Sequence, residues 1–150
     1  MKRVAVLVLA GGFVAAAQAQ DMPPGKGLEI MNDACGECHG TERVTSASKN
    51  REDWSVAVNR MLTKSGAPKV NEASTKILIE YLVRNLGEDV NVNTATQSQL
   101  ENELVLSPAE AAAIVGARTA KGNFKAWEDL EKVPGLDAKS LQPLKGRIKF

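Results

Sequence analysis

Cysteine and histidine are scarce in this 150-residue chain, which carries two cysteines and one histidine. With one histidine, a metal centre held by two imidazoles cannot be built within the chain. With two cysteines, a four-thiolate zinc site is equally excluded. Charge of one sign is also missing. Lys and Arg number 19 against 18 Asp and Glu, which argues against a protein that coats nucleic acid through bulk charge. Long apolar runs are confined to the extreme N-terminus. No later stretch approaches the roughly 20 apolar residues that a membrane-spanning helix needs.

The three scarce residues stand together, in Cys35-Gly36-Glu37-Cys38-His39. Two thiols three residues apart, followed at once by an imidazole, form the attachment signature of a c-type haem. The two cysteines can add across the two vinyl groups of one porphyrin, while the adjacent histidine takes the iron from one face. Cys35, Cys38 and His39 are therefore the expected cofactor-binding residues, His39 the expected iron ligand, and one covalent haem c per chain the expected cofactor. The competing reading is a thiol redox pair. That motif belongs between a strand and a helix, and the residues before Cys35 read as helix.

The N-terminus reads as a secretory signal peptide over residues 1–19. Lys2 and Arg3 form its basic region, Val4 to Ala17 its apolar run, and Ala17-Gln18-Ala19 its small-residue cleavage site. Cleavage after Ala19 and a periplasmic location are expected. An uncleaved anchor is the alternative, and the apolar run is short for it. Without the signal, 17 basic side chains face 18 acidic ones. About 130 mature residues suit one domain or two small ones, and the sequence favours two all-α units.

The first unit is expected over residues 21–87. Pro23-Pro24 opens a helix with Leu28, Ile30 and Met31 inward, leading into the Cys35 to His39 turn. Thr41 to Asn50 reads as loop. Trp54, Val58, Met61 and Leu62 then share one helical face, which stops at Ser65-Gly66-Ala67-Pro68. Asn71 is an N-cap for a helix with Ile77, Leu78, Tyr81 and Leu82 inward, and Gly87 is its stop. So small a core gains from a covalently held porphyrin.

This segment resembles a short class I cytochrome c domain, through its Cys-x-x-Cys-His motif and its Tyr81-Leu82 helix. The resemblance implies haem attachment beyond the inner membrane of a bacterium, and a methionine as second axial ligand. After the signal, Met22, Met31 and Met61 remain. Met61 is the candidate, because Met22 lies at a terminus and Met31 precedes the motif on its own helix. Its alternative role is core filling. A five-coordinate iron, or Lys64 or Lys69 as ligand, are the other readings. His39 and Met61 on opposite faces favour electron transfer over oxygen chemistry. The expectation is thus a periplasmic electron carrier, not an enzyme in itself, with a redox partner such as a periplasmic dehydrogenase.

The second unit is expected over residues 90–150. A helix opens at Pro108 and runs to Arg118, and shorter helices follow Gly122 and Gly135. Leu104, Ile114, Phe124, Trp127, Leu130, Val133, Leu136 and Leu141 make its expected core. It resembles the tandem helix-hairpin-helix domain of the ComEA competence family, through Val-Asn-Val-Asn-Thr-Ala-Thr at 90–96, Ala-Ile-Val-x-x-Arg at 113–118, Gly-x-Phe-Lys-x-x-x-Asp-Leu at 122–130 and Val-x-Gly-Leu at 133–136. In that family the turns read Gly-hydrophobic-Gly, and their backbone N–H groups can hold a DNA phosphate. Here the first turn reads Val105-Leu106-Ser107 and the second Gly135-Leu136-Asp137. A valine takes a glycine's positive φ only at a cost, and Asp137 repels a phosphate.

Basic residues persist at Lys132, Lys139, Lys145, Arg147 and Lys149, as a solvated surface or an anion-binding patch. Gly135 and Lys139 are the candidates for DNA or partner contact. From Asp89 onward, however, basic and acidic side chains number 8 each, without the basic bias of a DNA binder. Two functions follow. In the first, the electron carrier uses its second unit to dock a partner. In the alternative, the chain is a DNA-binding helix-hairpin-helix protein whose haem is a redox sensor or structural staple.

Overall fold

A computed structural model describes residues 22–150. The expected signal peptide and its cleavage site lie outside the described residues. The described chain is mostly helical, and its buried side chains fall into two clusters. The first holds Ile30, Met31, Trp54, Val58, Leu78, Leu82, Val83 and Leu86. The second is about twice as large and runs from Val90 to Ile148.

Helix α1 spans Lys26–His39 and carries Ile30 and Met31 into the first core. The haem-motif residues were expected in a turn, yet the helix continues through them. It stops only at Gly40, whose φ of 73° ends the helical path while its N–H bonds the Gly36 carbonyl. Within the expected loop, a single turn forms at α2, Glu42–Thr45. Helix α3, Arg51–Leu62, starts where the Asn50 side chain accepts the Asp53 N–H at 2.9 Å. Helix α4, Glu72–Leu86, starts on Asn71 in the same way, accepting the Ser74 N–H at 2.8 Å. Such caps each contribute about 1 kcal/mol. The Asn71 cap was expected, whereas Asn50 was expected only as the end of a loop.

Helix α1 crosses α4 at a glycine. A Cβ on Gly27 would overlap the Tyr81 side chain, so the missing side chain is what lets the helices approach. The Tyr81 hydroxyl donates to the Pro23 carbonyl at 2.7 Å and ties down the chain leading into α1. Leu78, Leu82 and Leu86 form the buried stripe of α4, and Ile77, expected inward, flanks it and is 39% exposed. Trp54 is buried beneath α4, where its indole N–H donates to the Leu86 carbonyl.

The second unit opens at β1, Val90–Asn91. This strand pairs in parallel with β2, Ile148–Lys149, in the register Val90 with Ile148 and Asn91 with Lys149. The pair departs from an all-helical expectation because it joins residues almost sixty apart. Between them lie α5 (Gln97–Glu103), α6 (Pro108–Lys121), α7 (Trp127–Leu130), α8 (Ala138–Leu141) and a 3-10 turn over Gln142–Arg147. Both α5 and α6 open on reciprocal capping boxes, Thr96 with Gln99 and Ser107 with Glu110. Of the expected core residues, Leu104, Ile114, Phe124, Trp127, Leu130, Val133 and Leu141 are buried, and Leu136 is only partly so.

The two units meet through arginines. Arg147 was expected among surface cations, but its guanidinium is turned inward. Nη1 donates to the carbonyls of Val83 and Arg84, Nη2 to those of Glu88 and Glu103, and Nε again to Glu88. Gly87 is needed beside it, since a Cβ there would overlap the guanidinium. Arg84 Nη2 bonds the Ser140 carbonyl, and Arg51 Nε bonds that of Asn102. Replacing Arg147 leaves four carbonyls short of a donor, each unsatisfied group costing about 1–3 kcal/mol. Arg147→Met is therefore expected to lower stability by at least about 3 kcal/mol in urea unfolding. Arg147→Lys should recover only a minor part, because an ammonium lacks the planar fork.

Candidate functional site

Two places concentrate chemistry, one in each unit. In the first, Cys35, Cys38 and His39 fall at i, i+3 and i+4 on the last turns of α1 and so share one face. They line a cavity of about 340 Å3, together with Trp54, Val58 and Met61 of α3 and Leu78 and Leu82 of α4. The structure thus brings all four expected cofactor-binding residues to one space. Met61 is 42% exposed and is not a core residue of the helix. Around the same cavity stand Arg43, Lys49, Arg60 and Lys64, with no carboxylate among the lining residues. Lys69, the other lysine considered as a ligand, is not among them.

Both cysteines are free, Cys35 half-buried and Cys38 exposed. Burial pushes the Cys35 thiol up, the opposite of the lowered pKa that a redox-active thiol needs. His39 Nδ1 lies 2.9 Å from the Gly40 carbonyl oxygen, an arrangement that leaves Nε2 as the nitrogen able to ligate a metal. Among the described residues no group of three or more His, Cys, Asp or Glu side chains could hold a metal ion. The expectation of a metal-binding protein is corrected to that extent, because the side chains alone make no metal centre. A porphyrin, which brings its own four nitrogens, does fit the space. The cavity has an apolar lining for the macrocycle, two thiols for its vinyl groups, an imidazole for its iron and cations for its propionates.

In the second unit the candidate surface is the pair of turns. The first runs from Leu104 to Ser107 between α5 and α6, with Val105 at φ 53°. Valine was not expected to accept that conformation. Its side chain packs against the core of the first unit, and this burial offsets the strain. The second turn has Gly135 at φ 83°. Both turns keep the left-handed residue.

Several N–H groups behind those turns are already used. The Glu110 carboxylate accepts the Ser107 hydroxyl at 2.7 Å and the Ser107 N–H at 3.0 Å. Its pKa is lowered by the Ser107 hydroxyl first, then by the N–H groups of Ser107 and Asp137 and by the Arg84 charge. In the second turn the Asp137 carboxylate accepts the Lys139 N–H at 3.0 Å. Two internal carboxylates thus sit where a phosphate would lie. Lys139 is exposed beside Gly135, but its amide is committed.

The motif residues that sequence reasoning treated as signatures turn out to be braces. Arg118 donates to the Val92 and Ala95 carbonyls, and Asn93 makes two bonds to the Phe124 backbone. The expected basic patch is largely dispersed. Arg147 is in the joint, Lys145 lies 5.0 Å over the Trp127 ring and Lys149 pairs with Asp89 at 3.3 Å. Lys121, Lys125 and Lys132 instead gather at a cleft beside the second turn. Sequence reading passed over Lys121 and Lys125, since they adjoin Lys132 only once α6 folds back.

Residues 85–149 match the helix-hairpin-helix motif family. The C-terminal unit is a helix-hairpin-helix domain. It is similar to ComE operon protein 1 of Bacillus subtilis (strain 168), with 39% identity over 62 residues, which are 41% of this chain. The matched segment is 30% of that relative's length. No solved structure matches the chain. These similarities correct the expectation of a cytochrome acting in one-electron transfer. They fall on the helix-hairpin-helix domain, and they favour the reading built on that domain over the one that made it an accessory of an electron carrier.

The lowered Glu110 pKa carries a prediction of sign. A depressed carboxyl stabilises the fold above its ordinary value of 4.5 and loses that contribution as pH falls through the folded pKa. Glu110→Gln is therefore expected to lower the urea midpoint at about pH 7. The difference from the unsubstituted protein should shrink as pH falls below 4.5 through the lowered folded-state pKa of Glu110.

Proposed function

We propose that this chain is an exported DNA-binding helix-hairpin-helix protein whose first unit is built around one covalent haem. The observation that carries the reading is the domain itself: paired helix-turn-helix units whose two turns keep the left-handed residue at Val105 and Gly135. On this reading it is a binding protein rather than an enzyme, and it acts in the periplasm. Among the described residues no helix is long and apolar enough to cross a membrane.

The haem is assigned a structural part. Cys35 and Cys38 would hold it through thioether bonds, and His39 and Met61 would be the side chains offered to its iron. When bound, the group supplies a rigid apolar plate and an iron that takes axial ligands. The chain's own residues do the rest. Trp54, Leu78 and Leu82 would supply apolar walls for the plate, and the cations at the rim would offer partners for its carboxylates. The plate would fasten α1 to α3 and α4, the two helices whose ends touch the hairpin domain.

Two measurements test this reading. Duplex DNA of about 20 base pairs should bind the full-length protein at low salt, with affinity falling steeply as salt rises. Absence of binding at low salt sinks it. Protein exported alongside haem-attachment machinery should retain its haem in a denaturing gel. Cys38→Ser should weaken that attachment and the Cys35→Ser, Cys38→Ser double substitution should abolish it. A haem extracted intact by acid and acetone from the unsubstituted protein would refute covalent attachment.

A further inference from the structure

We infer that DNA phosphates are held not at the turns but in the lysine cleft between the end of α6 and the second turn. The inference rests on the DNA-binding reading and names its contact surface. The turns are poor phosphate seats for a reason already visible in their bonding. An incoming phosphate at α6 would have to displace the Glu110 carboxylate from the Ser107 hydroxyl and N–H, and one at the second turn would meet Asp137. The first turn is further closed because Val105 packs against the other unit, and Glu103 beside it accepts the Arg51 N–H at 3.0 Å.

The cleft has the opposite character. It measures about 330 Å3 and takes in Lys121 from the end of α6, Lys125 from the following loop, and Lys132, Val133 and Pro134 from the second turn. All three lysines are exposed. One acid lies among them, Asp129, and it is largely committed: Oδ2 accepts the Lys125 N–H at 2.9 Å, while Oδ1 is 3.8 Å from Lys132 Nζ. That contact is solvent-exposed and long, so it holds Lys132 weakly. Three cations against one partly satisfied carboxylate leave a local positive surface in a domain that is neutral as a whole. Phe124 and Val133 are buried beneath, and the Asn93 bonds to Phe124 hold the loop that presents Lys125. The lysines are therefore displayed on a rigid base, and the cleft adjoins the turn that the domain turns toward solvent.

The test is fluorescence anisotropy of full-length protein with a labelled 20-base-pair duplex across a salt series. Replacing Lys121, Lys125 and Lys132 together by Ala should weaken binding at least about tenfold at low salt and flatten the slope of log affinity against log salt by about 3, one for each lost phosphate contact. The matching triple Lys→Arg variant should retain both. Lys139→Ala, at the second turn, should stay within about threefold of the unsubstituted protein. Circular dichroism of each variant confirms the fold. Unsubstituted protein that binds, with a triple Ala variant that binds equally well, overturns the cleft alone. Unsubstituted protein that fails to bind overturns the DNA-binding reading with it.

Discussion

The structure turns on one cation. Arg147, near the end of the chain, places its guanidinium against the carbonyls of Val83, Arg84, Glu88 and Glu103. Two of these lie in the last turn of α4 and one ends α5, where helices leave carbonyls without partners and concentrate negative partial charge. Burial lowers the Arg147 pKa, while the nearby acids Glu103, Asp89 and Glu88 oppose that shift. The group stays charged in ordinary water, and its cost of desolvation is offset by carbonyls that would otherwise be unsatisfied. Because α4 also carries the floor of the cavity and crosses α1 at Gly27, the same contact couples the cavity to the hairpin domain. Arg51 at the start of α3 makes a second tie, to Asn102 and Glu103.

That joint explains an apparent contradiction in the second unit. Its sequence resembles helix-hairpin-helix domains through residues whose work here is internal, such as Asn93 on Phe124 and Arg118 on Val92 and Ala95. The turns, which carry the phosphate-binding property of the motif, have diverged instead. In the first, Val105 keeps the backbone path of a glycine and uses its side chain to pack on the neighbouring unit. The turn that the resemblance would set against nucleic acid is here an interdomain surface. Fold and binding site are separable where they rest on different residues.

The same distinction marks what could be read from sequence. Features fixed within a few residues were legible: the cap at Asn71, the helix opening at Pro108, Leu78 and Leu82 on the buried stripe of α4, and seven of the eight expected core positions in the second unit. The helical spacing of Cys35, Cys38 and His39 accounts for the face they share. Features fixed by distant partners were not. Arg147 looks like any surface cation until β2 is paired with β1, and Val105 looks unable to take a positive φ until the first unit is packed on it. Met61 illustrates the middle case. Its spacing from Trp54 and Val58 correctly set the helical face, but periodicity cannot say whether that face meets protein or a cavity.

The cavity itself sets a constraint on the first unit. Its protein core is eight buried side chains, and beside them lies about 340 Å3 without protein atoms. That space is open on one side and mainly apolar in its lining, so apolar side chains there stay in contact with water at a cost in free energy. Water can enter from the open side, but the apolar part of the lining offers it few hydrogen bonds. A flat apolar group held by Cys35 and Cys38 would remove this cost, and it would do so between α1, α3 and α4. Since α3 and α4 carry Arg51 and the carbonyls bound by Arg147, filling the cavity would stiffen the platform on which the hairpin domain is mounted. On the proposed function, a haem would serve DNA binding without transferring an electron, by fixing the orientation of a domain whose own first turn packs into the joint.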